Sequence, residues 1–208
     1  MILSANAVRL AYAFAAKQDI RYYLNGINVE PAEGGGALIT ATDGHRLTQV
    51  LDRDASNVES MIISLDKASQ AALKRGTFVS TEFNEKHIAI LNSDRIPVHM
   101  QVEAYKVEGK FPDWRRVLGK REDWSQGVGG NFNVKYLADV VRLMDGVCQA
   151  DRFAPSVSFF TKLDKDGNRQ MTESLLFILD GRVQAWGMVM PMRGNESDPL
   201  TVAYGKAA

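Results

Sequence analysis

The chain has 208 residues with 25 basic and 25 acidic side chains, so its formal charge is zero and a strongly basic nucleic-acid binder is excluded at whole-chain level. An apolar content of 45% excludes a disordered polymer and supplies one or two domains with real cores. The single Cys148 excludes an internal disulfide and a Cys-rich metal site. It fits a reducing, cytoplasmic setting, and no apolar run is long enough to predict a membrane span. The first residues are apolar, but Arg9 interrupts them and no cleavage site follows, so no signal peptide is expected.

The first predicted helix is Ser4–Lys17, capped by Ser4, with Ala7, Leu10, Ala11 and Phe14 as its apolar stripe. Strands are expected at Arg21–Val29, Ala37–Thr42 and Leu47–Leu51, separated by the turn signals EGGGA and DGH. A second helix, SLDKASQAALKRG, has Ser64 as its cap and Gly76 as its stop. Strands follow at Phe78–Phe83, His87–Leu91 and Pro97–Val107. The stretch Leu118–Asn131 has no periodicity and reads as a linker. The third helix is Asn133–Asp145, with Val134, Leu137, Val141 and Met144 on one face, followed by strands at Ser156–Thr161, Leu175–Asp180 and Val183–Pro191. The tail Gly194–Ala208 is small and polar and reads as flexible.

One pattern, a helix followed by three strands, thus recurs at roughly 60–70 residues. It predicts an α+β chain of three half-modules, two of them in residues 1–118, a linker at 119–131, and a third at 132–193. Each helix also carries a pair of cations about two turns apart: Arg9 and Lys17, Lys67 and Lys74, Lys135 and Arg142. On one helix such a pair is ordinary solvation; repeated on three it suggests a shared basic surface, weakened at the third by Asp139.

The stretch ATDGHRL holds an acid, an imidazole and a guanidinium within four residues, as an active site does. Asp-Gly between strand-like runs is also a strong hairpin signal, and an enzyme built on Asp43 and His45 is the weaker reading. His87 and His99 lie on strand-like runs, where a structural role is expected. No GxxxxGK[ST] phosphate loop is present, and neither a metal nor a cofactor is expected.

Four stretches in this order, QDIRYYLNGINVE (18–30), ATDGHRL (41–47), GKFPDWRRVL (109–118) and VMPMR (189–193), resemble the bacterial DNA polymerase III beta subunit family, the replicative sliding clamps. NVKYLADVVRLMDG resembles the helix in the second half of that family's last domain. The resemblance implies a DNA-clamp fold, in which helices line a central hole and antiparallel sheets lie outside. It matches three of the six half-domains of a clamp chain, a shortened form. It also implies a surface pocket for short linear peptides, comprising Leu24, Thr42, Gly44, His45, Arg46, Leu47, Pro112, Arg116, Val117, Met188, Met190, Pro191, Met192 and Arg193. The chemistry suits this: methionines repack around varied apolar anchors, and arginines pair with acidic or carbonyl groups.

Duplex DNA would meet the helix cations Arg9, Lys17, Lys67, Lys74, Lys135 and Arg142, joined by Gln18, Arg21, Tyr22 and Tyr23 from the family's DNA-touching loop. Tyr22 and Tyr23 could instead alternate across a strand. The implied partners are double-stranded DNA, DNA polymerase and a clamp loader. The resemblance also implies self-association. A clamp ring has twelve helices, so three per chain predict a homotetramer closed head to tail. A clamp mimic that binds the same peptides without encircling DNA is the alternative.

Overall fold

The computed structural model describes residues 1–74, 80–84, 87–101, 105–127, 131–148, 156–170, 172–180 and 184–192. In chain order it contains β1 (Ile2–Ser4), α1 (Ala5–Tyr12), a 3₁₀ turn (Tyr22–Asn25), β2 (Ile27–Pro31), β3 (Ala37–Thr42), β4 (Arg46–Asp52) and β5 (Met61–Ile63). Then come α2 (Lys67–Lys74), β6 (Ser80–Phe83), β7 (Ile88–Leu91), β8 (Pro97–Gln101), β9 (Lys106–Val107) and α3 (Trp114–Leu118). A second 3₁₀ turn (Arg121–Asp123), β10 (Trp124–Gln126), α4 (Val134–Cys148), β11 (Ser156–Lys162), β12 (Leu175–Asp180) and β13 (Gln184–Val189) complete it.

The strands form two antiparallel sheets, β1-β6-β7-β8 and β10-β11-β12-β13-β4-β3-β2-β5-β9. The helix-plus-three-strands pattern holds as α1-β2-β3-β4, α2-β6-β7-β8 and α4-β11-β12-β13. The first two units exchange strands: β1 precedes α1 but pairs with β6, and β5 precedes α2 but pairs with β2. The expected strand Pro97–Val107 splits accordingly, β8 staying in the small sheet and β9 crossing to β5. Residues 119–131, read as a linker, include β10, which closes the third unit's own sheet against β11. That sheet runs on into the first unit through a six-residue register between β13 and β4, so β10 itself is its outer edge.

The helices pack on the sheets, with α1 touching both α2 and α4. The core joins Val8, Leu10 and Phe14 to the inward residues Val29, Ile39, Val50 and Phe177 of the large sheet. Each such side chain contributes about 1.5–3 kcal/mol when fully buried. None of the helices among the described residues is long and apolar enough to cross a membrane.

Local hydrogen bonds account for the differences from the expected elements. α1 stops at Tyr12, not Lys17, because Phe14 N–H turns back to Ala11 O and Ala16 N–H bonds Leu24 O at 2.9 Å. Ser4 stands at the cap position without a side-chain cap; its N–H donates to Asp52 Oδ2 at 2.6 Å. α2 is capped by Asp66, whose Oδ1 accepts from Ser69 N–H at 2.6 Å, and not by Ser64; Gly76 lies outside the described residues.

The expected strand at Arg21–Val29 opens as a 3₁₀ turn. Asn25 pins it, its amide donating to Asp19 O and accepting from Asp19 N–H, each at 2.9 Å. α4 is rotated by about one residue from its expected face. Val140 and Leu143 are buried, while Val134 and Val141 are 75% and 55% exposed. One residue is about 100° of helix, enough to exchange the two faces.

Candidate peptide pocket and helical groove

The DGH turn is built by its own side chains. Asp43 Oδ1 accepts from the N–H groups of His45 (3.0 Å) and Arg46 (3.1 Å), and Thr42 Oγ1 accepts from Gly44 N–H at 3.1 Å and donates to Arg46 O at 2.8 Å. Gly44 has φ +88°, a left-handed conformation that a side chain would strain. The carboxylate of Asp43 is thus a turn-former, and the exposed His45 ring stacks on Tyr136 of α4, centroids 6.3 Å apart.

The seam between β4 and β13 brings expected pocket residues, Leu47 and Met188, together from 141 positions apart. Met188 pairs across from Leu47 and Val189 across from Arg46, and Met190 N–H donates to His45 O at 2.9 Å. Strand alternation puts Leu47 and Met188 on the outer face, away from the helices, with Thr42 beside them. Thr42, Leu47 and Met188 are buried and form a floor; Gly44, His45, Met190 and Met192 are exposed around it, with Pro191 half-buried. Leu24 lies deeper, 1% exposed in a second small core with Ala16, Ile62 and Phe111.

α3 is carried onto the same outer face. Asp113 caps it, Trp114 packs on Trp186 with centroids 5.4 Å apart, and Trp114 Nε1 donates to Glu30 Oε2 at 3.2 Å. Trp186 and Met188 share one face of β13, so the exposed Pro112, Arg116 and Val117 flank the methionine side of the sheet. Arg193 lies outside the described residues. Sequence reasoning missed a neighbouring groove of about 350 Å3 lined by Leu38, Leu51, Leu118, Ile178 and Trp186. Its signal was present: Leu38, Leu51 and Ile178 occupy outward positions, where a solvated sheet face needs no leucine or isoleucine.

Arg46 differs from its expected role. Its side chain is 9% exposed, with Nε on Asp43 Oδ2 at 3.0 Å and Nη1 on Asp139 Oδ2. Nη2 donates to Ala13 O at 3.2 Å, and the guanidinium lies over the rings of Phe14 and Tyr136. It ties the turn, the end of α1 and α4 together, with its charge turned away from the pocket.

On the helix side, α1, α2 and α4 enclose a groove of about 550 Å3 whose lining includes Arg9, Lys17, Gln70, Asp139 and Arg142. Lys17 reaches it from beyond the helix end. Burial lowers the Arg9 pKa from its ordinary value, and its Nη2 donates to Asn6 at 2.6 Å. Arg142 is largely exposed but bonds Asp139 Oδ1 at 2.5 Å, so one carboxylate serves Arg46 and Arg142 together. Lys67 and Lys135 are exposed on their helices; the side chain of Lys74 lies outside the described residues.

The remaining DNA candidates cluster in one loop. Gln18 is exposed with φ 62°, and Arg21 pairs with Asp19 at 2.7 Å, the guanidinium holding the Asp19 carboxyl down at about 2. Arg21 lies over the DGH turn, so close that a Cβ on Gly44 would stand 3.0 Å from its Nη2. Tyr22 and Tyr23 sit in the 3₁₀ turn as an edge-on pair and do not alternate across a strand; Tyr22 is 57% exposed.

The helices α1, α2 and α4 on one side and antiparallel sheets joined edge to edge on the other define the DNA-clamp fold, and solved structures agree. The sliding clamp of Pseudomonas aeruginosa superposes with a TM-score of 0.60 at 21% identity, covering 93% of this chain and 66% of that one. The clamp of Bartonella birtlesii, solved bound to griselimycin, gives 0.55 at 19% identity, covering 93% and 66%. In sequence, the beta sliding clamp of Salmonella typhimurium is 33% identical over 112 residues, and that of Escherichia coli K12 is 34% identical over 111. Each match takes in 52% of this chain but spans only 29% of the relative's length. No family model matches the chain. The resemblance to the DNA polymerase III beta subunit read from the motifs is therefore borne out, in sequence over half the chain and in fold over nearly all of it.

Proposed function

We propose that this protein is a non-enzymatic sliding clamp that encircles duplex DNA in the cytoplasm and tethers DNA polymerase to it through short linear peptides. The supporting observation is the β4–β13 seam, which sets Thr42, Leu47, Met188 and Met190 into one apolar patch on the outer face while Arg9, Lys17 and Arg142 line the opposite, helical side. Peptide docking outside and loose phosphate contact inside is the division of labour a clamp needs. Tethering raises the polymerase's effective concentration at the template without new catalytic chemistry. A ring of twelve helices is closed by four copies of this chain. A loader would open it, using ATP that this chain has no phosphate loop to bind.

The outer face is tested with griselimycin as probe. Met190→Asp is expected to weaken its binding at least tenfold by calorimetry; unchanged affinity overturns the pocket. The ring is tested by chemical cross-linking on nicked circular duplex. Retention on the circle, with release on linearisation, is expected; equal retention on both forms overturns encirclement. The clamp-mimic reading draws on the zero net charge and on Asp139 neutralising Arg142. It predicts peptide binding with no retention on either form.

A further inference from the structure

The outer face of the large sheet is apolar beyond the expected pocket. Cross-strand register sets it out in rows two residues, or about 6.8 Å, apart. The first row holds Leu47, Met188 and Leu176, the second Gln49, Trp186 and Ile178, and the third Leu38, Leu51 and Gln184. The second and third rows, with Leu118 of α3, line the groove of about 350 Å3. Trp186 Nε1 donates to Gln49 Oε1 at 3.0 Å and Gln49 Nε2 to Thr40 Oγ1 at 3.1 Å, so these polar groups satisfy one another and leave the surface apolar. Ile178 is 40% exposed within it. Contiguous apolar surface of this kind marks a docking site.

The chain carries a segment whose pattern fits these rows. Residues 193–208 lie outside the described residues, and their sequence is RGNESDPLTVAYGKAA. Leu200, Val202 and Tyr204 alternate with smaller residues, so an extended backbone sets all three on one side at the same interval of about 6.8 Å. Gly194–Asn195, just beyond β13, is turn chemistry. About a fold-back centred on Gly194, Leu200 stands as far after the turn as Met188 stands before it, Val202 as far as Trp186, and Tyr204 as far as Gln184. Glu196 and Asp198 then fall opposite Met192 and Met190. That side is flanked by the exposed Arg116, which no carboxylate pairs among the described residues.

We propose that residues 194–204 fold back over the outer face of their own chain, with Leu200, Val202 and Tyr204 seated on the three rows. A segment tethered this closely meets the face at about millimolar effective concentration, so a contact too weak to hold a free peptide holds this one. The docking rests on the strand register and the sequence. Its consequence rests on the proposed function: Leu200 covers Met188, so an incoming peptide has to displace the chain's own segment, and the pocket carries a built-in competitor.

The test needs neither DNA nor a partner's peptide, so its failure is separate from failure of the clamp reading. The 208-residue chain is compared with a chain ending at Arg193 by acrylamide quenching of tryptophan fluorescence. Removing the segment uncovers Trp186 and is expected to raise quenching at least twofold, and Val202→Asp in the full chain is expected to do the same. A fluorescein-labelled synthetic peptide of residues 194–208 is expected to bind the shortened chain at least tenfold more tightly than the full one. Ile178→Lys in the shortened chain is expected to abolish that binding, with its urea midpoint unchanged as evidence of folding. Equal quenching of the full and shortened chains, or a peptide that binds both alike or ignores Ile178→Lys, would overturn the proposal. Quenching of the full chain that changes with protein concentration would assign the segment to a second copy and overturn it too.

Discussion

At Arg46 the peptide-pocket motif and the structure part company. Its guanidinium reaches Asp43, Asp139 and Ala13 O and lies over two rings, while only 9% of the side chain meets solvent. Removing one partner of a buried ion pair strands the other, at a cost of about 3–5 kcal/mol. Arg46→Ala is therefore expected to lose a few kcal/mol in urea denaturation, and Asp139→Asn about 1–3 kcal/mol. The backbone bonds of Asp43 were legible because they close within three residues. The Arg46–Asp139 pair was not, because its partners lie 93 positions apart.

Asp52 carries the pH dependence at this scale. Burial raises its pKa above the ordinary 3.8, against the hydrogen bonds it accepts from Ser4 and Asp54. For an acid raised on folding, the stabilising contribution is full below the unfolded value and is lost as pH rises through the native one. Asp52→Asn is expected to remove that loss. Its stability relative to wild type should grow between pH 4 and neutrality in paired denaturation curves; a constant difference would show that Asp52 does not titrate differently on folding.

At the scale of elements, the β4–β13 seam depends on a close approach at Gly187. A Cβ there would stand 2.4 Å from Leu47 O and 2.4 Å from the Phe177 ring. Gly187→Ala is expected to cost about 1–3 kcal/mol, the range for overpacking a tight interior. In the proposed pocket it should also lower peptide affinity, because the seam positions Met188 and Met190. Strands were legible where a short run of apolar and β-branched residues lay between turn signals, as for β3 and β12, whose bounds match the expectation. Helix ends and faces were less so. α1 ends early through a bond from Ala16 to Leu24, and α4 turns Val140 inward instead of Val141, because packing against α1 and β13 decides which of two apolar stripes is buried.

For the whole molecule, the exposed Val134 and Val141 of α4 are a surface where copies would meet in the proposed ring. Val134→Lys with Val141→Lys is expected to leave the urea midpoint within about 0.5 kcal/mol of wild type, as exposed substitutions do. Sedimentation should nevertheless show a smaller particle; an unchanged particle would place α4 outside any contact between chains.

By itself the sequence determined the repeating helix-plus-strands units, the turn chemistry at Asp43 and Gly44, and the resemblance to sliding clamps, because all three are written in residues close together along the chain. Only the tertiary structure decided that β1 and β5 change places between units, that β13 extends the first unit's sheet, and that Asp139 holds two arginines. Those outcomes depend on which strand edges and charges meet across long separations, and pairing between distant segments leaves no periodic mark on either one.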